Sequence, residues 1–253
     1  MVVWADSCEE LLARGRQAFE ERRLQEAVTA FQYAAAVCRP DPQLLLTLAQ
    51  TQYLLGKEAE AEQTMKSALE LRPDHEATLY ALGRIYYQQH RYPEAEQLLL
   101  AVVKKDPKHH RGWDNLGLCY DAMNRDSDAL RSFFRALDLV MKSHPDYDWA
   151  HANLAEFFLK RNQAEKAFQL AAEAARRNPQ SARNALLTGK ALVKLDRHEL
   201  SLRWLERATT LDPADSAAWY QLAQAYRKLG RKTEAATALE RFREASAAQP
   251  PRR

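Results

Sequence analysis

Seven histidines, three cysteines and several neighbouring carboxylates are the side chains of this 253-residue chain with the chemistry to bind a metal, attack a substrate or move a proton. A zinc site needs converging ligands, and two histidines on one helix converge when four residues apart, as in His-Glu-x-x-His. His75, His90, His109, His110, His144, His151 and His198 offer no such arrangement, and no cysteine stands at ligand spacing from them. Most fall at expected turns. His109 and His110 are adjacent, so on a helix their rings point apart, and they read as a solvated pair. The sequence contains no G-x-x-x-x-G-K-[ST] phosphate loop and no G-x-S-x-G nucleophile turn, nor a predicted strand to mount either. Glu9-Glu10 and Glu20-Glu21 read as solvated faces of amphipathic helices that complement nearby arginines. These residues lead to no catalytic group, no metal site and no cofactor.

The cysteines carry more information. Cys8 opens the first predicted helix and Cys38 ends the second, and an antiparallel hairpin brings those two ends side by side. A disulfide and a pair of buried thiols both fit that placement, and the disulfide would require an oxidising compartment. Cys119, between Leu118 and Tyr120, reads as an inert core thiol. Val3-Trp4-Ala5 ahead of Asp6 resembles the small-residue end of a secretory signal whose start has been trimmed. The localisation expected is therefore cytoplasmic by default, or exported or periplasmic if an upstream signal is missing from the sequence. The formal charge of +3 and pI near 8.7 fall far short of the clustered positive excess that phosphate backbones require, so nucleic acid is not expected as a partner. No run approaches the ~18–20 apolar residues of a membrane span.

The elements that hold these residues follow from a period. Pro40, Pro73, Pro107, Pro145, Pro179 and Pro213 are separated by 33, 34, 38, 34 and 34 residues, and each closes a helical run because the residue before proline is pushed out of the α region. Between these stops, Leu79, Leu82, Gly83, Tyr86 and Ala95 are matched by Trp113, Leu116, Gly117, Tyr120 and Ala129, and again by Trp219, Leu222, Ala223, Tyr226 and Ala235. With only seven glycines in the chain, the composition is that of long helices. Gly83, Gly117 and Gly189 are expected to let backbones approach. Ala27, Ala61, Ala95, Ala129 and Ala167, with Ser201 in the sixth repeat, are expected to keep the helix crossing close. Gly56 and Gly230 are expected in left-handed turns, and Pro93 at the start of a helix.

The pattern resembles the tetratricopeptide repeat signature from about Ser7 to Ala248. The resemblance implies an all-α, right-handed superhelical solenoid of about seven helix-turn-helix repeats, at 8–41, 42–75, 76–109, 110–147, 148–181, 182–215 and 216–249, with a segment 1–7 before them and a tail 250–253 after them. Repeat four carries four extra residues within Leu139–His144, read either as a longer helix or as a protrusion of Val140, Met141 and Tyr147.

In that family the first helix of each pair lines a concave groove. Transferred position by position, the resemblance puts Tyr53, Tyr80, Arg84, Tyr87 and Gln88 on an aromatic wall near Phe19. A basic wall follows, with Trp149, Lys160, Arg183, Lys190, Lys194, Tyr220, Gln224, Arg227 and Lys228, against few acids apart from Glu156, while Asp114 and Asp121 interrupt the row. The lysine and asparagine set with which family members clamp two carboxylates is incomplete here. Asn115 and Asn153 occupy the asparagine place and are assigned to contacts with a peptide backbone. The implied function is a non-enzymatic scaffold or adaptor that binds an extended, acidic peptide or protein, and the alternative is a targeting or regulatory module for a separately encoded enzyme. Partner identity and oligomeric state stay open.

Overall fold

The computed structural model describes residues 7–39, 41–144 and 146–248. Val3-Trp4-Ala5 with Asp6, the helix-stop residues Pro40 and Pro145, and the tail after Ala248 lie outside the described residues. Among those described there are fourteen helices and no strand. They are α1 (Cys8–Glu20), α2 (Leu24–Val37), α3 (Pro42–Leu54), α4 (Glu58–Leu71), α5 (Glu76–Gln88), α6 (Tyr92–Lys105), α7 (His110–Ala122), α8 (Asp126–Ser143), α9 (Trp149–Lys160), α10 (Ala164–Arg177), α11 (Ala182–Lys194), α12 (His198–Leu211), α13 (Ser216–Lys228) and α14 (Lys232–Ala248).

The chain divides into two compact units, one up to Asn115 and one from Leu116 onward. In the first, α1 packs on α2, α3 on α4 and α5 on α6, while α2 rests on α3 and α4 on α5. Its amino-terminal core joins Leu11, Ala18, Val28 and Phe31 to Leu44 and Leu48. The second unit repeats the scheme with the pairs α9–α10, α11–α12 and α13–α14, and its first helices α9, α11 and α13 touch in succession.

Local chemistry explains where the helices begin. Ser7 forms a reciprocal capping box with Glu10, and Asp41, Ser181 and Asp215 accept from backbone N–H groups of the helices they open. The second helices α2, α4, α6, α8, α10 and α12 have no side-chain cap, and all seven second helices share one entry geometry. Each is entered through one residue at positive φ, which is glycine at Gly56 and Gly230 but Arg22, His90, Asn124, Asn162 and Asp196 elsewhere. A single left-handed residue costs about 1–2 kcal/mol, which neighbouring packing can absorb, so glycine is dispensable at these turns.

The small residues mark the crossing within each pair. Ala27, Ala61, Ala95, Ala129, Ala167 and Ser201 are fully buried. The glycines act differently from the expectation of close backbones. A Cβ on Gly117 would lie 2.5 Å from the Phe133 ring, and one on Gly189 would lie 2.5 Å from Leu205. Glycine thus admits a large side chain from the second helix, and Gly15 does the same for Phe31. Trp113 and Trp219 hold their helix starts by donating indole N–H to the carbonyls of Pro107 (3.1 Å) and Pro213 (2.9 Å). In repeat four the extra residues lengthen α8 to 18 residues, against 14 for α6 and α10. Val140 is buried in that extension and belongs to the core, whereas Met141 stays 65% exposed.

Candidate functional site

The first helices of the first unit are joined to each other by polar side chains. The Tyr53 hydroxyl on α3 donates to Gln88 Oε1 on α5 at 2.7 Å. One repeat on, Asn115 Nδ2 donates to the Tyr80 hydroxyl at 3.3 Å and to the Arg111 carbonyl at 2.8 Å. The Tyr80 ring lies 5.0 Å from that of His109, and the Arg84 guanidinium sits 5.8 Å from the Tyr80 centroid. Burial pushes both tyrosine hydroxyls upward in pKa, and the Arg84 charge opposes part of that rise. Tyr87 packs against Tyr92 at 5.6 Å. Between α1, α3 and α5 these side chains surround an apolar hollow. Phe19, Leu54 and Ile85 line it, Met65 lies at its base, and Tyr53, Arg84 and Gln88 stand around it.

The basic row lies in the second unit, and much of its charge is already answered there. Arg183 on α11 stacks 5.0 Å from the Trp149 ring and donates to Asn153 Oδ1 and Glu156 Oε2, both at 2.8 Å. Lys160 donates to Asp121 at 2.8 Å. Arg161, lying on the Phe157 ring at 3.5 Å, bonds Asp121 and Asp126. Lys194 is held by the neutral amide oxygen of Asn162 at 3.0 Å. Lys190, Lys194, Arg227 and Lys228 have no carboxylate partner among the described residues. Tyr220 packs on Phe242 at 5.6 Å and remains 42% exposed. Asn153 is 4% exposed, so a peptide backbone would reach its amide only after Arg183 moves. Asn115 is half-buried and tied to Tyr80, and Asp114 is buried in the first unit.

Arg161, Asp126 and Asn162 fall outside the first-helix positions that the resemblance assigns to the groove, because Arg161 and Asn162 lie in the turn after α9 and Asp126 opens the second helix α8. It also passed over Leu54, whose large apolar side chain is 54% exposed beside Tyr53. An apolar residue at the end of a helix otherwise facing polar neighbours is the available signal for it.

Cys8 and Cys38 are joined by a disulfide with Cα atoms 5.4 Å apart, and Cys119 is fully buried. The histidines serve separate structural roles, although the rings of His109 and His110 stack at 6.5 Å instead of pointing apart, because His109 precedes α7 and does not lie on it. His90 occupies a left-handed turn, with its ring nitrogen 2.7 Å from the Tyr92 hydroxyl, and His75 bonds Thr78. His109 Nδ1 accepts from the Gly112 backbone N–H at 2.8 Å, which caps α7. Among the described residues no group of three His, Cys, Asp or Glu side chains is placed to hold a metal, and no helix is long and apolar enough to cross a membrane.

Comparison with known proteins follows the same lines. Three family models, each described as tetratricopeptide repeat, match the chain: one over residues 12–76 and again over 186–250, one over 56–116 and one over 113–143. The first of these by itself spans half of the chain. No curated protein matches it. Among solved structures, a tetratricopeptide repeat protein from Parabacteroides merdae superposes with a TM-score of 0.76 at 16% identity, covering 97% of this chain and 94% of that one. The pilF protein of Pseudomonas aeruginosa gives 0.69 at 20% identity over 83% of this chain and 94% of its own, and yeast Tom70 gives 0.64 at 18% over 94% of this chain and 50% of its own. At such identities the likeness establishes a solenoid of helix-turn-helix repeats and says nothing of the partner.

Proposed function

Because the chain belongs to the tetratricopeptide repeat family, whose fold serves protein–protein interaction, we propose that it is a non-enzymatic adaptor that holds an extended, acidic peptide or protein segment along its first helices. The observation that carries this reading is the set Lys190, Lys194, Arg227 and Lys228, which lies on the successive first helices α11 and α13 and has no carboxylate partner among the described residues. Exposed cations cost a protein little, so a basic face can simply keep the chain soluble. Here, however, Arg161, Arg183 and Lys160 on and beside the same helices are neutralised internally, which leaves the remaining cations grouped instead of scattered. Trp149 on α9 and Tyr220 on α13 add exposed aromatic surface to the first helices of the same unit. Aromatic side chains next to cations are what energetic centres of interfaces favour, while a cationic row steers an acidic segment and fixes its register.

Charge reversal tests the reading. The double variant Lys190→Glu with Lys194→Glu is compared with Arg131→Glu, an exposed cation on the second helix α8, in binding a fluorescein-labelled dodecapeptide of alternating Glu and Ser. The expected result is a loss of at least tenfold for the α11 variant and less than twofold for the α8 control. Equal affinities for the two would remove the basis of the proposal.

A further inference from the structure

The apolar hollow of the first unit carries an inference that deepens this function and rests on it. Between α1, α3 and α5, Leu54 and Phe19 leave 54% and 38% of their surfaces open. The floor is made of Ile85 and Met65, which are buried. The site therefore has a buried apolar base and an uncovered apolar wall, the arrangement that accepts a single aliphatic or aromatic side chain. Isolated exposed hydrophobics are ordinary on protein surfaces. These two differ in facing one hollow with a defined polar surround.

The surround sets what accompanies the apolar side chain. Arg84 is exposed and has no carboxylate partner among the described residues, and its guanidinium is oriented by the Tyr80 ring at 5.8 Å. Glu58, which acts on the Tyr53 hydroxyl from α4, is engaged by Gln89 at 3.4 Å. Gln88 spends its amide oxygen on Tyr53, so its amide nitrogen keeps its donors for an incoming carbonyl. A cation thus stands at the mouth of an apolar hollow, beside a donor suited to a passing backbone.

We infer that this hollow binds an internal apolar residue of the partner segment, with the carboxylate of the following Asp or Glu paired to Arg84 and the intervening backbone carbonyl held by Gln88. An internal residue fits better than a chain terminus because the Gln88 donor lies beside Arg84 and serves a backbone that continues past the site. The occupant is an acidic segment of the class the proposed function names, anchored within the first unit by an apolar side chain.

The probes are four dodecapeptides on a Gly-Ser background with three glutamates. They carry at the centre Leu-Glu, Ala-Glu or Leu-Gln, or end in a free carboxylate after Leu. Binding of the Leu-Glu peptide at least fivefold tighter than Ala-Glu and Leu-Gln is expected. Arg84→Gln should erase the Leu-Glu over Leu-Gln preference, and Leu54→Ser the preference over Ala-Glu; both positions are exposed, so the variants should fold, as checked by circular dichroism. Photo-leucine at the central position should cross-link to α1 and α3 around Phe19 and Leu54. Three results would overturn the inference: equal binding of the first three peptides, tighter binding of the Leu-terminated peptide, or cross-links to the separate apolar face of α1 and α2 at Tyr33 and Val37. Lys190→Glu with Lys194→Glu, measured in parallel, separates the two ideas. Loss there without any Leu preference defeats the hollow alone, and no binding of any probe defeats both.

Discussion

A histidine ring with 4% of its surface exposed pays heavily for carrying a charge, and His151 on α9 is in that position with its Nδ1 unbonded among the described residues. Burial, helped by the nearby Arg177 cation, holds it down to about 4, against the opposing pull of Glu173 and Asp148. Its neighbourhood is polar but already satisfied: the buried Asp148 accepts from Asn184 Nδ2 at 2.6 Å, and the same nitrogen reaches the Ala174 carbonyl at 3.0 Å. The sign follows directly. An unfolded histidine takes its proton near pH 6.5 and the folded one near 4, so His151 permits full stability above 6.5, and stability falls as pH drops through that window. The loss expected by pH 4 is up to about 3 kcal/mol. Chemical denaturation of the parent and of His151→Phe between pH 7 and 4 should show the slope in the parent and little of it in the variant; parallel slopes would assign the acid sensitivity elsewhere. Glu62 and Glu173 act in a lower window. Burial raises Glu62, but hydrogen bonds from Lys66, Arg91 and Tyr86 overcome it and bring it to about 2, and Arg176 and then Arg177 bring Glu173 to about 2 against its burial. Their contribution is present above 4.5 and is lost as pH falls toward 2 in both proteins.

At the scale of elements, the hairpin α1–α2 differs from the others in being tied at its open end. Its disulfide closes a loop with a sequence separation of 30 residues, while Leu11 and Val28 supply a small core on one side only. In the chain-entropy account a loop of this length is worth about 3–4 kcal/mol, so reduction should release the first hairpin well before the rest unfolds. Hydrogen exchange with and without reductant is the measurement: protection should fall in residues 8–38 on reduction and stay unchanged across α11 and α12. A uniform fall would mean that the hairpin is no separable element. The helices themselves were readable from the proline period and the Leu-Gly-Tyr spacing, because periodic apolar faces and helix stops are local properties of the chain. The turns were less readable. Asn124, Asn162, Asp196 and His90 are residue types that tolerate left-handed φ, but Arg22 takes it with no local preference to announce it, because the pairing of α1 and α2 imposes the turn.

For the whole molecule, the net charge of +3 gives a poor account of the electrostatics, since Lys160, Arg161 and Arg183 are answered by internal carboxylates while Lys190, Lys194, Arg227 and Lys228 have none among the described residues. A segment that meets only Lys190, Lys194, Arg227 and Lys228, the four cations of α11 and α13 without such a partner, should respond to salt moderately. Raising sodium chloride from about 50 to 500 mM should weaken the Glu-Ser dodecapeptide roughly tenfold and leave a Gln-Ser analogue unchanged. Salt-independent binding of the acidic peptide would exclude ion pairing as the source of affinity. The sequence by itself determined the repeat: stop residues at a near-constant interval, small residues at each crossing and apolar faces of helical period all act over a few turns, and they specify hairpins that must stack to hide their faces. Tertiary structure alone decided which charged and polar groups remain available. Asn153 on α9 and Arg183 on α11 bond each other, while Arg84 has no carboxylate partner among the described residues and Leu54 keeps its surface open. That choice depends on side chains 30 or more residues apart meeting across neighbouring helices, which spacing along the chain does not encode.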